Sequence, residues 1–490
     1  MKQILVLFSF LFCSMSIFSQ NITARIIDKN TKAPIPYATI KTGKNSGLIS
    51  NDDGYFTLNN LNNDAITITI SCLGYESETL SISAIKKANL LIKLSQALNQ
   101  LDEVYISNKR PNADSIIAKV RQNISKNYNA NLNKHSIFHR TTNYGHFDHL
   151  DFEIDKASEF NKQNLARANA ELIALSKKVR ESDAKHFTDF KGELYTLNQD
   201  SSKLAVSKAT KLLDAKNNFS IEEVQDRAQK IVLTYLDTTK TYKVKTGFFT
   251  VEDSLALNDE EFKNKNKDKF ELSTLNNDAK RLLKRTQFAE NSLLTQFINP
   301  NLYDYEFEDV TLYNSNLTYI INFSPRKGKA KHSGTMYVND GDYAITKVEY
   351  SYYKNRHGEK LNLKLLLGVK YIENANRGSI LFEKGSTFYH PKYIKHTSGS
   401  YFYFSRDFKL IENSRDRNKI KFSIKLEGEN RSKVEMLFTE NSQITQSDFD
   451  AITQEETAPF KVLSAFDKTT WANEATLEPT EEMKAFSGED

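Results

Sequence analysis

Apolar residues at every second position recur along this chain, and that spacing limits what it can become. Ile66, Ile68 and Ile70 alternate with Thr67 and Thr69, and Leu90, Ile92 and Leu94 repeat the device. From about Tyr303 to Phe438 the period returns. Leu317, Tyr319, Ile321 and Phe323 form one set, and Leu361, Leu363, Leu365 and Leu367 a second. A third set, Ile420, Phe422, Ile424 and Leu426, alternates with Lys421, Ser423 and Lys425. Residues two apart on a strand point to the same side, so each run predicts a strand with one apolar and one polar face. Several such strands in succession predict antiparallel sheet over a core.

Turn chemistry separates the first strands. Pro34-Ile35-Pro36 sets a bend through fixed φ, and Asn51-Asp52-Asp53-Gly54 predicts a hairpin turn. Short strands at this spacing predict a sandwich. Between the two β regions the period lengthens. Asn112 can cap a helix that puts Ile116, Ile117, Val120, Ile124 and Tyr128 on one face. Leu165, Ala168, Leu172, Leu175 and Val179 step by three and four, and Ser220 with Glu223 predicts a capping box ahead of Val224, Ala228, Ile231 and Tyr235. The polar stretch Asn264 to Lys269 predicts a solvated loop.

Four landmarks in order carry a resemblance: Ile26-Ile27-Asp28, then Pro34-Ile35-Pro36-Tyr37-Ala38, then Asn51 to Phe56, then Ser71-Cys72-Leu73-Gly74-Tyr75-Glu76. This order resembles the carboxypeptidase-regulatory-like (transthyretin-like) domain abundant in exported proteins of Bacteroidetes, often ahead of TonB-dependent receptors. Leu101 to Ile106 resembles the strand that follows that domain in those receptors. Gly334 to Val338 followed by Tyr343 to Val348 loosely resembles a hairpin of half-barrel, lipoprotein-carrier-like envelope sheets. In larger relatives of this kind an outer-membrane barrel can follow. The acidic tail from Glu474 to Asp490 has no terminal aromatic strand, which speaks against one here.

The amino terminus gives the address. Lys2, an apolar run from Ile4 to Phe12 and the polar Ser19-Gln20-Asn21 read as a secretory signal peptide cut after Ser19. The run is too short and too Ser-interrupted for a comfortable span, and no later segment offers about 18 consecutive apolar residues. Phe12 stands where a lipobox needs a small residue, which argues against lipid on Cys13. Cys72 is then the one cysteine of the mature chain; an internal disulfide and a cysteine zinc site are excluded, and a buried small side chain is expected. With 67 basic against 62 acidic side chains the net charge is only +5, which does not suggest nucleic acid.

Chemistry is sparse. His135, His139, His146 and His149 fall within fifteen residues, with Asp148 and Asp151 nearby, and a hairpin through Gly145 would bring them together as weak candidate metal ligands. Exposed histidines on a hairpin are the plainer reading. No HxxE, HExxH or GxSxG string occurs, and S-x-x-K strings such as those at Ser83, Ser182 and Ser324 lack their partner motifs. Tyr401-Phe402-Tyr403-Phe404, after Tyr393, predicts core packing and cross-strand stacking. Asp52 and Asp53 are explained by the turn without calcium. No catalytic residue and no cofactor is expected.

The expected fold is multidomain α+β, with an N-terminal Greek-key β-sandwich, a helical middle and a C-terminal antiparallel β-sheet. Its boundaries are a signal peptide over 1–19, the sandwich over 20–97, a linker strand and amphipathic helix over 98–134, a mixed, mainly helical region over 135–300, the antiparallel domain over 301–440 and a polar, acidic tail over 441–490. The expected role is a non-enzymatic cell-envelope binding or scaffolding protein, exported to the periplasm or associated with the outer membrane, with no transmembrane span in the mature chain. Its partner would be an envelope protein. A periplasmic carrier or sensor of a lipophilic ligand is the first alternative, and a hydrolase of glycans or peptides the second. The carrier separates from the scaffold on one point: whether the aliphatic sheet face is open or covered by helices.

Overall fold

The computed structural model describes residues 21–43, 47–59, 66–97, 111–128, 132–158, 160–182, 184–198, 200–213, 221–234, 237, 239–247, 249–256, 269–314, 316–472 and 474–487. The expected signal peptide with Cys13, the strand expected at Leu101 to Ile106, Ser220 and nearly all of the Asn264 to Lys269 stretch lie outside them. The chain forms two compact units. One combines the described residues up to Ala97 with those of 311–316 and 467–484; the other holds the remainder.

The described residues of the first unit form seven strands in two sheets. They are β1 (Ile22–Asp28), β2 (Thr39–Lys41), β3 (Gly47–Ile49), β4 (Tyr55–Leu58), β5 (Thr67–Ser71), β6 (Glu78–Ser81) and β7 (Leu91–Leu94). One sheet has the order β4-β1-β7, the other β3-β2-β5-β6. The alternation does what it predicts: Ile68, Ile70, Ile92 and Leu94 are buried in the shared core with Ile26, Ile40 and Phe56. Ile66 sits before β5 and is partly exposed. Cys72 packs half-buried against the same core. A short helix, α1 (Ile82–Lys87), capped by Ser81, buries Ile82 and Ile85 between β6 and β7.

The Asn51 to Gly54 turn exists, but it is no hairpin: β3 and β4 belong to different sheets, so the turn carries the chain across the sandwich. Asn51 Oδ1 accepts from the amides of Asp53 and Tyr55. Gly54 has φ +80°, and a Cβ there would stand 2.5 Å from the Ile26 carbonyl oxygen, so the close approach requires glycine. Residues 467–484, expected as part of a polar tail, complete this unit. Leu477 and Met483 are buried, and Ala475 packs on the sandwich core. Asn51 Nδ2 donates to the Pro479 carbonyl, Thr57 to Glu478 and Asn59 to the Glu474 carbonyl.

The second unit is dominated by one large sheet. Its strands from the middle of the chain are β8 (Asn133–Ala157), β9 (Ala184–Thr196), β10 (Ser202–Leu213), β11 (Thr241–Thr246) and β12 (Phe249–Ala256), with β13 (Lys269–Glu271) apart from it. There follow β14 (Tyr303–Tyr313), β15 (Asn316–Pro325), β16 (His332–Asn339), β17 (Ile345–Tyr352), β18 (Lys360–Leu363), β19 (Val369–Lys384), β20 (Tyr389–Glu412) and β21 (Lys419–Gln443). The short β22 (Thr457–Pro459) pairs with β13, and β23 (Lys461–Leu463) runs parallel to β10. The order is β14-β15-β16-β17-β19-β20-β21-β8-β9-β10-β23, with β11 joining β20 and β18 joining β19.

Two expectations change here. Residues 135–300 are not mainly helical, because β8 to β12 lie among them and β8 to β10 share a sheet with the strands after 301. On β8 the inward positions turn polar in mid-strand, with Thr141 and Asn143 between Ile137 and Leu150, which hid the period. The leucine run from Leu361 to Leu367 is not one strand either. β18 ends at Leu363, and a single helical turn over Lys364–Leu367 is closed by Gly368 in the left-handed region, leaving Leu365 and Leu366 exposed.

Helices cover one face of the sheet in two places. α2 (Ala113–Asn127), capped by Asn112, α5 (Leu272–Lys284) and α6 (Leu293–Phe297) pack on the first. Ile117, Leu282 and Phe297 there meet Ile321, Phe323, Val348, Ile380 and Met436. α3 (Lys162–Arg180) and α4 (Ile221–Leu233) pack on the second, where Leu172 and Ala228 meet Ile154, Leu410 and Ile420. No helix among the described residues is long and apolar enough to cross a membrane.

Candidate functional site

Between the two helical coverings the inward positions of the central strands change character. On β20 they run Ile394, His396, Ser398, Ser400, Phe402: apolar at each end and polar between. The neighbouring strands change at the same level. Asn143 of β8, Ser432 of β21, Ser398 of β20 and Asn376 of β19 stand opposite one another. In the next row stand Gly145, Asn430, Ser400 and Glu373. Small polar side chains in register on four strands leave a trough, and a cavity of about 400 Å³ lies along it.

Apolar side chains wall one end, with Phe147 and Phe402 meeting edge to face at 5.7 Å. Tyr371, opposite Phe402, is 38% exposed. Ser400 donates to Asn430 Oδ1 through both its amide and its hydroxyl. Asn143 Nδ2 lies 2.9 Å from His186 Nε2 on β9. Glu429 is held by Asn374 and Arg431.

Glu373 is the most supported carboxylate of the cleft. It accepts from Tyr352 at 2.8 Å, from Asn376 at 3.0 Å and from the Glu359 amide at 3.3 Å. Burial pushes its pKa up, yet the bonds from Asn376, Tyr352 and Glu359 outweigh this and hold it below the ordinary glutamate value. The carboxylate is therefore charged and satisfied. His332 joins the network through Asn376 at 3.3 Å. One row deeper, the Tyr350 hydroxyl bonds His396 and accepts from Arg285, just after α5, both at 3.4 Å. Burial pushes His332 down to about 4 and His396 to about 3, so both rings are neutral at neutral pH. Gly378 makes this possible, since a Cβ there would stand 2.5 Å from the Tyr350 hydroxyl.

The four histidines singled out in the sequence do not converge. All lie on β8, which runs through Gly145 without a hairpin. His135 and His139 are buried. His135 Nδ1 bonds Asn441 at 2.6 Å, and burial lowers its pKa to about 4. His146 and His149 are exposed, and His146 faces Asp148 at 3.6 Å. No group of three or more metal-ligating side chains is present among the described residues. The aromatic string divides by face: Phe402 joins the apolar wall, while Tyr401 donates to Glu427 and stacks under Lys370, and Tyr403 under Lys364. The cleft itself escaped the sequence reading. Its signal was the change from Ile and Leu to Asn, Ser and Gly within otherwise alternating strands.

The seven-stranded sandwich is of the immunoglobulin-like, non-catalytic kind. Residues 22–106 match the CarboxypepD_reg-like domain, which accounts for every landmark from Ile26 to Glu76. No curated protein matches the chain.

Proposed function

We propose that this is a non-enzymatic binding protein of the cell envelope, with its ligand held in the polar cleft of the large sheet. One observation carries the reading. Helices cover the apolar parts of the inner face at both ends, and the part left open between them is lined with amide, hydroxyl and carboxylate groups. A carrier of acyl chains needs the opposite arrangement, an open aliphatic face. Ile321, Phe323, Val348 and Ile380 lie under α5 and α6 instead. The regulatory-like domain supports a binding role, and its edge strand β6, paired only with β5 among the described residues, offers a backbone edge to a protein partner. Lys2 and the apolar run after it support export.

Native mass spectrometry with lipid extraction, on the mature protein purified from an envelope fraction, tests this. The expected spectrum shows a polar adduct or a co-purifying protein. A stoichiometric lipid would overturn the reading in favour of a carrier.

A further inference from the structure

We infer that the ligand of the cleft is a neutral, hydroxyl-rich chain, a short oligosaccharide; this deepens the binding function proposed above and rests on it. Hydrogen-bond type points to this ligand. Asn143, Asn430, Ser398, Ser400 and Ser432 carry amides and hydroxyls, groups that both donate and accept. Sugar hydroxyls also do both, so each can meet such a group in either sense. Ionic ligands find less to hold. Glu373 is satisfied by Tyr352 and Asn376, and Glu429 is bonded by Arg431 and Asn374.

The sheet also denies a peptide its commonest mode of recognition. An extended peptide gains affinity by adding to a sheet edge. Here β20 and β21 are interior strands paired on both sides along the trough, and β8 is so paired up to Gly145, with their main-chain groups spent in the ladder. A peptide lying in this trough would have only side chains to satisfy its own backbone. An oligosaccharide has no such backbone to satisfy. The wall of the cleft suits a sugar as well. Tyr371 is part-exposed beside Phe402 and offers a ring face to the C–H face of a pyranose. The volume, about 400 Å³, falls within the range of small-ligand sites, about 300–1,000 Å³.

The test is calorimetric titration of the mature full-length protein with malto-, cello-, xylo- and chito-hexaose, and with an uncharged Ser/Gly/Asn hexapeptide as comparison. At least one saccharide is expected to bind saturably at 1:1. Tyr371→Ala should weaken that binding at least tenfold and Ser432→Leu, which fills the trough, should abolish it, while Tyr371→Phe keeps it; melting curves check that each variant is folded. Preference for the hexapeptide, or saccharide binding indifferent to Tyr371→Ala and Ser432→Leu, overturns the inference. If no saccharide binds but a polar adduct sensitive to Ser432→Leu persists in the native mass spectrum, the oligosaccharide falls and the binding function stands. Release of reducing ends would keep the ligand class and overturn the non-enzymatic reading.

Discussion

The imidazole of His139 lies stacked on the ring of Phe190, centroids 4.5 Å apart and planes 19° from parallel, with neither ring nitrogen hydrogen-bonded. A polar ring in this position behaves as an aromatic spacer, and it is costly whenever it must take a proton.

That cost sets the response to acid. Burial lowers His139 to about 3 and His135 to about 4, against 6.5 in the unfolded chain. Below about 6.5 the unfolded state binds protons that the folded state refuses, so stability is full above that pH and falls progressively towards 4. His139→Leu should stabilise the second unit by about 1–2 kcal/mol at pH 7.5 and by more at pH 5. Urea unfolding at the two pH values measures this; an equal gain at both would show that protonation plays no part.

The buried pair on the neighbouring strands should be intolerant of half-removal. Arg140 donates to Asp189 through Nε at 2.9 Å and Nη2 at 2.7 Å, with the side chains 4% and 1% exposed. Asp189→Ala leaves a buried guanidinium without this partner and should cost about 3–5 kcal/mol. Arg140→Met combined with Asp189→Leu should cost less than either single change, as chemical denaturation of all three would show.

Two leucines that share a sequence pattern with the core should not share its energetics. Leu365→Ser and Leu366→Ser, at fully and largely exposed positions, should each change stability by less than about 0.5 kcal/mol. Ile321→Ala, at a position with no exposure, should cost about 2–5 kcal/mol. Comparable losses at all three would restore the uninterrupted strand that the alternation predicted.

The segment after Asp467 should hold up the sandwich. Leu477 is 2% exposed, and Leu477→Ala should cost the first unit about 2–4 kcal/mol. Hydrogen exchange at β1 and β4 reads the effect locally, and unchanged protection there would show the segment to be energetically idle.

Much of this was legible in the residues. The sandwich strands followed from Ile68, Ile70, Ile92 and Leu94 because both local turns and side-chain alternation agree there. The helix after Asn112 followed from its cap and its 3.6-residue stripe. β8 was hard to see for a physical reason. It passes from beneath one helical layer to beneath the other, so its inward residues change from Ile137 through Asn143 to Leu150, and no single period spans it. The same change conceals the cleft, which exists only when Asn143, Ser432, Ser398 and Asn376 are set in register from four distant segments. α1 was missed because six residues give too short a stripe to recognise.

The carboxyl-terminal contacts of the sandwich have a consequence in time. The strands of this module leave the ribosome well ahead of the segment that completes them: Asn51, Thr57 and Asn59 find their partners only when residues 474–479 have been made, more than four hundred positions later. During synthesis the module is therefore incomplete, with a bare flank. A chain cut after residue 97 but before residue 467 would keep all seven strands described here and still carry that flank uncovered.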